Sequence, residues 1–435
     1  MRRLSIVLVT ATLLTGCADA DPPPQPPETF TLDNGLTVML RPMQGTEKVA
    51  LVVLYAVGGL HDPKGQSGLA HLIEHCYVTA AAGSTPQRDM QGFMARYPDG
   101  WNAQTGDDYT VIAGVFKREA LGRELADAAA RMNHLHVLDS DLDREKPRIF
   151  AELRNMYAAM PHLAARNLAR EKVCPSPHDG RKGGLADHVN TLQIATVQQR
   201  IERYYKATNA TLVLAGAFDA AAARAAIAKH FGDIPPGDAI AKPPDRPKPK
   251  LPAAETVRVR SPLPQAGPVV GLAYAAPKTD SDLYAPFLVL VGRLWHRAQA
   301  LGAAPGGMPI HFAALDDPAV VSVCAPMKDG EEPDQAVARL EAFVAEAAKA
   351  ELATSDRMVT LQTFNFAFGL LSVPDQMLAQ NLYGVAFGMG RRAQMGVDSA
   401  ALKGSIETVT TDDLRRAAEA VFSEKVRAAV VVIPQ

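Results

Sequence analysis

Residues 67–75 read Ser-Gly-Leu-Ala-His-Leu-Ile-Glu-His and place two histidines four positions apart. On a helix, residues at this spacing share a face, so the imidazoles of His71 and His75 point the same way. Two neutral imidazoles so arranged can hold a zinc ion. Glu74 lies on that face, where its carboxylate can accept a proton from a water molecule beside the metal. The stretch therefore predicts a helix bearing a hydrolytic zinc site, although two such histidines also occur as ordinary surface residues.

A catalytic zinc needs a third protein ligand and leaves one position open. Residues 145–152 read Glu-Lys-Pro-Arg-Ile-Phe-Ala-Glu and carry two carboxylates, seven positions apart, on one face of a predicted helix. The alternative for both glutamates is a solvated helix face. Pro147 lies between them, so we expect the helix to begin near Asp143, with the proline in its first turn.

The motif order His-x-x-Glu-His is that of the inverzincins. Over roughly residues 29–435 the chain resembles the family of pitrilysin, insulin-degrading enzyme and mitochondrial processing peptidase, and residues 67–75 match that family's approach to its motif. The family's third ligand is a glutamate about 76 residues after the second histidine, and 76 residues lie between His75 and Glu152. The resemblance implies that Glu152 completes a site for one zinc per chain, which the carboxylate of Glu145 orients.

A second match is the stretch Trp-Asn-Ala-Gln-Thr at residues 101–105. In the family the corresponding stretch is an edge strand beside the zinc. The resemblance implies that an extended peptide adds to this edge through main-chain hydrogen bonds, near Asn102, Ala103 and Thr105. A polar loop before an ordinary strand is the alternative interpretation.

The C-terminal half carries no second His-x-x-Glu-His, as the resemblance implies. In many active relatives that half supplies an arginine and a tyrosine, one or two turns apart on a helix, which hold the substrate carbonyl. Tyr383 is the candidate tyrosine, but no arginine precedes it at that spacing. The nearest arginines, Arg391 and Arg392, follow it. A missing donor of this kind costs on the order of 10²–10³ in rate.

Three functions remain open. The leading hypothesis is a zinc metalloendopeptidase that cuts peptides or unfolded segments in a chamber between two halves, with Glu74 as general base. The alternative is a peptide-binding or weakly catalytic subunit whose partner does the cutting; the absent arginine favours it, and the intact metal set opposes it. An unrelated zinc hydrolase is a third reading. The resemblance also implies a homodimer, or a heterodimer with a related subunit.

Two proline-rich stretches divide the chain. Residues 18–28 predict a tether, and residues 235–252 predict a linker between an N-terminal zinc-binding half, residues 29–234, and a C-terminal half without metal, residues 253–435. We expect an α+β fold of two related halves, each a sheet packed with helices, which enclose a clam-shell cleft.

Both halves end in a helical pattern followed by a strand pattern, at residues 194–218 and 409–433, which indicates duplication; chance recurrence is the alternative. Within the first half, Asn34-Gly35 lies between apolar residues and predicts a hairpin turn.

The N-terminus predicts export. Arg2 and Arg3 precede an apolar stretch, residues 4–14, which is shorter than the roughly 20 residues of a membrane-spanning helix. Residues 14–17, Leu-Thr-Gly-Cys, resemble a bacterial lipoprotein signal, which implies a signal peptide at residues 1–17 and a lipid anchor on Cys17. An ordinary signal peptide is the alternative. Ala18, where aspartate would favour the inner membrane, implies the outer membrane on its periplasmic side.

Composition narrows the remaining choices. The 435 residues are 47% hydrophobic and 21% charged, which is typical of a globular chain with more than one domain. A net charge of −2 gives no indication of nucleic-acid binding. Besides Cys17 there are three cysteines, Cys76, Cys174 and Cys324, too few and too sparse for a disulfide framework. We expect buried thiols, and Cys76 points away from the ligand face of its helix.

Overall fold

The computed structural model describes residues 27–159, 162–175, 183–238, 255–259, 267–300, 310–316, 319–349, 351–371, 373–423 and 427–434. The predicted signal peptide with Cys17, residues 18–26 of the tether and residues 239–252 of the linker lie outside this part of the chain. Among the described helices, none combines the length and the apolar character needed to cross a membrane.

The strands are β1 (Glu28–Thr31), β2 (Thr37–Pro42), β3 (Lys48–Tyr55), β4 (Ala81–Ala82), β5 (Trp101–Thr105), β6 (Thr110–Lys117), β7 (Leu135–His136), β8 (Ala210–Gly216), β9 (Glu255–Val259), β10 (Val269–Ala275), β11 (Ile310–Phe312), β12 (Val320–Pro326) and β13 (Arg427–Pro434). The α-helices are α1 (Leu69–Thr79), α2 (Met90–Arg96), α3 (Leu121–His134), α4 (Asp139–Ala159), α5 (His162–Val173), α6 (Ala186–Thr191), α7 (Ile194–Tyr204), α8 (Ala220–Phe231), α9 (Tyr284–Ala300), α10 (Pro333–Ala347), α11 (Asp356–Thr363), α12 (Asn365–Phe368), α13 (Asp375–Leu378), α14 (Leu382–Met395), α15 (Ser399–Thr408) and α16 (Thr411–Val421).

The first half is built on a six-stranded sheet with the order β1-β2-β8-β3-β6-β5. β1 and β2 pair antiparallel across the Asn34-Gly35 turn, in which Gly35 has φ +87° and its N–H donates to the carbonyl of Leu32 at 2.8 Å. Glycine adopts this left-handed conformation without steric cost. The predicted hairpin is therefore confirmed.

The second half repeats this sheet without β1. Its strand order is β9-β13-β10-β12-β11. β9 pairs parallel with β13, as β2 pairs parallel with β8 in the first sheet. All other neighbouring strands in both sheets pair antiparallel. In each half a helix, α7 or α16, leads into the strand that takes the parallel partner. Identical order and direction of five strands confirm two related α/β halves.

Each sheet is covered on one face by a helix of the other half. Along β3, alternate residues face the first half's own helices or α14 of the second half, which buries the strand on both sides. Reciprocally, α5 of the first half packs on the second sheet through Ala165, Ala169 and Val173. There a Cβ atom on Gly271 would lie 3.1 Å from Ala165, so glycine permits this close approach. The exchanged helices hold the two halves together.

One sequence expectation was wrong. Helix α4 begins at Asp139, not near Asp143, so Pro147 lies inside the helix rather than in its first turn. The earlier start follows from Asp141, whose carboxylate accepts a hydrogen bond from the main-chain N–H of Leu138 at 2.9 Å. That contact satisfies an end group of the helix. A proline at this depth removes one helical hydrogen bond, and the helix continues past it to Glu152.

Candidate metal centre

Helix α1, which carries the His-x-x-Glu-His motif, is buried along its whole length. A buried helix needs partners for the main-chain groups at its ends. At the N-terminus the carboxylate of Asp62 accepts hydrogen bonds from the N–H groups of Gly68 and Ala70 at 2.9 and 3.0 Å. At the C-terminus the guanidinium groups of Arg88 and Arg131 donate to carbonyl groups of the last turn and the cap. Side-chain hydrogen-bond partners thus satisfy both ends of the helix, and the two arginines carry the charge that the helix dipole favours at a C-terminus.

Three donor atoms converge beside α1. The Nε2 atoms of His71 and His75 lie 3.8 and 3.2 Å from the same oxygen, Oε2 of Glu152 on α4. Ligand atoms around a tetrahedral zinc, with bonds of about 2.0–2.2 Å, are roughly 3.4 Å apart. The donor set and its spacing fit a zinc ion. The side chain of Glu152 is 52% exposed, whereas both histidines are buried, so the site opens to solvent on the Glu152 side.

Partners behind the imidazoles set their orientation. The Nδ1 atom of His71 donates to the carbonyl of Gly183 at 3.1 Å, and Nδ1 of His75 donates to Oε2 of Glu145 at 3.3 Å. A carbonyl only accepts, so Nδ1 of His71 carries a proton and Nε2 is the ring nitrogen that faces Glu152. Such partners fix the tautomer and the ring plane of metal-binding histidines.

The carboxylate of Glu145 is ionised. Burial acts to raise its pKa, but hydrogen bonds from His75 and Thr79 and the charge of Arg148 outweigh burial and lower the pKa to about 2. His75 shows the complementary effect. Burial acts to lower its pKa, yet its hydrogen bonds to Glu145 and Glu152 raise the pKa to about 9. Without metal, His75 is therefore a cation between two carboxylates, and a metal ion held at its Nε2 atom would take the place of the proton there.

Glu74 is buried beside the two histidines. Its pKa is raised by burial, against the opposing effects of His71, His75 and a hydrogen bond from Thr105. The hydroxyl of Thr105 donates to Oε2 of Glu74 at 2.7 Å. Ligand atoms of His71, Glu74 and His75 all lie within 4.8 Å of one another, so these three residues form a second candidate donor set.

The predicted substrate contacts lie on β5, and one of them meets the second half. β5 is an edge strand of the first sheet. Of its residues, Ala103 packs against the first core, Thr105 contacts Glu74, and Asn102 donates through Nδ2 to the hydroxyl of Tyr383 at 2.5 Å. The tyrosine that the sequence singled out in the second half thus meets the edge strand directly.

The two arginines after Tyr383 are engaged elsewhere. Arg391 is buried and binds Asp108, and Arg392 donates to the carbonyl of Ala367 at 2.8 Å. Neither contact is with β5.

Sequence reasoning missed three contributors: the carbonyl of Gly183, the carboxylate of Asp62 and the hydroxyl of Thr79, which donates to Glu145 at 3.0 Å. Main-chain carbonyls leave no residue signature, and Gly183 lies 112 positions from His71. The cysteine prediction is confirmed, because Cys76, Cys174 and Cys324 are buried thiols. Burial raises the pKa of the Cys76 thiol.

Two repeated α/β halves, with an inverted zinc-binding motif on a buried helix of the first, define the class of two-half inverzincin proteins. The profile described as "Insulinase (Peptidase family M16)" matches residues 37–173, and that of the "Peptidase M16 inactive domain" matches residues 191–351. The chain belongs to peptidase family M16, the insulinase family, as the resemblance predicted.

Curated relatives include proteins named as zinc proteases. The chain is 27% identical over 249 residues to the probable zinc protease PqqL of Escherichia coli. This stretch covers 53% of this chain and 26% of that protein. It is 25% identical over 238 residues to the zinc protease PqqE of Helicobacter pylori, 53% of each chain. The matched part therefore spans about a quarter to a half of these relatives.

Solved structures share the fold. A protease from Helicobacter pylori superposes with a TM-score of 0.79 at 19% identity, covering 95% of this chain and all of that one. The periplasmic protease PqqL from Escherichia coli superposes with a TM-score of 0.71 at 18% identity, covering 95% of this chain and 48% of that one. Pitrilysin superposes with a TM-score of 0.64 at 16% identity, covering 96% of this chain and 45% of that one. The arrangement of two related halves is thus the one found in M16 peptidase structures.

Proposed function

We propose that this chain is a zinc-dependent endopeptidase that hydrolyses peptides or unfolded polypeptide segments. One observation carries the proposal: two imidazole nitrogens and the Glu152 carboxylate converge beside a second, buried carboxylate, Glu74. A hydrolytic zinc site needs three ligands, one open position and a nearby base. The zinc proteases among the relatives support the choice of metal.

We assign the ligands to His71, His75 and Glu152, and keep Glu74 as the base. The contacts favour this division, because Glu152 approaches both Nε2 atoms while Glu74 is held by Thr105. When bound, zinc acts as a Lewis acid and lowers the pKa of a coordinated water molecule.

Each remaining residue then has a task. Glu74, whose pKa is raised by burial, accepts the proton of the attacking water and returns it to the leaving amine. Thr105 keeps the Glu74 carboxylate in place, and Glu145 keeps the ring of His75 oriented. The peptide adds along β5 at Asn102 and Ala103, where main-chain hydrogen bonds tolerate many sequences.

Tyr383 reaches this edge from the second half and is the candidate to contact the substrate carbonyl. A non-catalytic or weakly catalytic partner subunit is the second candidate function. It is favoured by the position of Arg391, whose guanidinium binds Asp108 rather than standing beside Tyr383.

The setting of the enzyme is also a proposal. We infer a signal peptide at residues 1–17, a lipid on Cys17 and a periplasmic site at the outer membrane; the Escherichia coli relative with this fold is a periplasmic protease. Residues 29–234 form the catalytic half and residues 253–435 the half without metal. A homodimer or a heterodimer with a related subunit is the expected assembly.

The test uses the purified full chain with Glu74→Gln and Glu152→Gln, each assayed for bound zinc and for cleavage of quenched peptides. We expect about one zinc per chain in the wild type and in Glu74→Gln, with cleavage only in the wild type. Glu152→Gln should lose zinc and cleavage together. Zinc without cleavage in the wild type would favour the partner subunit, and a wild type that binds no zinc would refute the metal site.

A further inference from the structure

A cluster of aromatic rings lies where β5 begins. Phe93, Tyr97 and Phe116 are buried, whereas Trp101, the first residue of β5, is 37% exposed. The ring of Phe93 lies edge-on to both neighbours, with centroids 5.7 Å from Trp101 and 5.1 Å from Tyr97. The cluster therefore has a packed base and one exposed ring, that of Trp101.

This cluster lies on the face of β5 that carries the catalytic contact. Side chains alternate along a strand, so Trp101 and Thr105 share a face, and Thr105 donates to Glu74. Opposite Trp101 on β6 stands Gly114, and the ring of Tyr97 occupies the space that a Cβ atom there would need. Four residues of a strand span about 13 Å, which separates the indole from the contact with Glu74.

The other face of β5 points towards the second half, where Asn102 contacts Tyr383. A strand added to a sheet edge places its side chains on the same two faces as its neighbour. In a peptide added to β5, the residue opposite Thr105 thus lies at the metal site. The residue four positions away lies opposite Trp101.

We propose that Trp101 forms a subsite for a large apolar or aromatic side chain of the bound peptide, four residues from the one opposite Thr105. The inference rests on the proposed function, because it requires a peptide on β5. An indole supported by buried rings presents a rigid apolar surface, and aromatic pairs gain affinity beyond the area they bury. With this subsite the enzyme selects a hydrophobic residue in the part of the peptide that lies along β5 between Thr105 and Trp101. That residue lies opposite Trp101, away from the cleaved bond.

Peptide binding at the subsite is measured by the fluorescence of the Trp101 indole. The chain has two tryptophans, so Trp295→Phe leaves Trp101 as the only tryptophan whose emission is followed. In Glu74→Gln, which keeps the peptide intact, we would titrate peptides that carry phenylalanine, alanine or aspartate at each position in turn. We expect a saturable blue shift of Trp101 emission. The peptide with phenylalanine at the position opposite Trp101 should bind roughly tenfold tighter than the peptide with alanine there.

Cleavage is tested in parallel with Glu74 intact. Trp101→Ala should lose the roughly tenfold preference for phenylalanine while still cutting the alanine peptide, and Trp101→Phe should keep most of it. The matched control is Met377→Ala, which removes an exposed apolar side chain from the second half and should leave the preference unchanged.

The outcomes separate the subsite from the proposed activity. Cleavage without any positional preference, and without a change in Trp101 emission, overturns the subsite and leaves the peptidase intact. A position-dependent emission change without cleavage supports the subsite on a peptide-binding subunit. A shift that follows protein concentration rather than peptide means that a second copy of the chain covers Trp101, and it overturns the proposal.

Discussion

The Nη2 atom of Arg391 lies 3.0 and 2.8 Å from the two carboxylate oxygens of Asp108, across 283 positions of the chain. Asp108 belongs to the turn between β5 and β6, and Arg391 belongs to α14 of the second half. The same guanidinium stacks over the ring of Tyr109 at 4.3 Å. The turn that positions the edge strand is therefore anchored to the half that provides none of the proposed metal ligands.

Replacing Arg391 by methionine should destabilise the protein strongly. The arginine side chain is 1% exposed, so its loss removes a buried cation from beside the Asp108 carboxylate, and breaking a buried pair costs about 3–5 kcal/mol. Asp108 is partly exposed, which favours the lower end of this range. Urea denaturation measures the change. Arg415→Met is the control, because its pair with Asp412 is exposed and its loss should cost less than about 1 kcal/mol. Equal midpoints for the two variants would contradict the anchoring role.

Glu145→Gln should weaken zinc binding while leaving the chain folded. The glutamine cannot supply the charge that holds the Nδ1 proton of His75, and loss of such a partner costs about 10–100-fold in metal affinity. Competition with a chromophoric chelator measures the dissociation constant. Glu119→Gln, on an exposed turn, serves as the control. Unchanged affinity in Glu145→Gln would argue that His75 is oriented by other contacts.

Thr105→Val should slow cleavage by about tenfold or more without releasing zinc, because it removes the hydrogen bond that holds the Glu74 carboxylate. That bond lowers the pKa of Glu74, so its loss raises the pKa and moves the acidic limb of the activity profile to higher pH. Rates and bound zinc would be measured together from pH 5 to pH 9. Thr105→Ser keeps the hydroxyl and should restore both the rate and the profile.

Zinc affinity should rise with pH. The pKa of His75 is raised to about 9 in the metal-free protein, so below that pH a zinc ion must displace a proton. Affinity then gains up to about tenfold per pH unit and levels off above pH 9. The pairing of protonated His75 contributes stability to the metal-free protein at acidic pH, and this stability is lost as pH rises towards 9. Chelator competition at several pH values checks the slope, and a flat profile would refute the charged state of His75.

Much of the site could be predicted because its signals are local. The spacing of His71, Glu74 and His75 depends only on the helical repeat, and the Asn34-Gly35 turn only on backbone sterics. The assignment of Glu152 as the third ligand came from an interval shared with a known family, not from geometry. The start of α4 was predicted wrongly, because Pro147 was weighed as a helix breaker while the hydrogen bond from Leu138 to Asp141 went unrecognised.

The sequence by itself determined the metal helix, its candidate base and the repeated order of helix and strand, since periodicity and turn chemistry act over a few residues. The tertiary structure alone decided which distant groups meet them. It brings Glu152 to His75 across 77 positions, the carbonyl of Gly183 to His71, and Tyr383 of the second half to Asn102. The contacts of Glu152 and Tyr383 depend on the packing of α4 against α1 and of α14 against the first sheet, which buries apolar surface from segments far apart in the chain. No local pattern encodes that pairing.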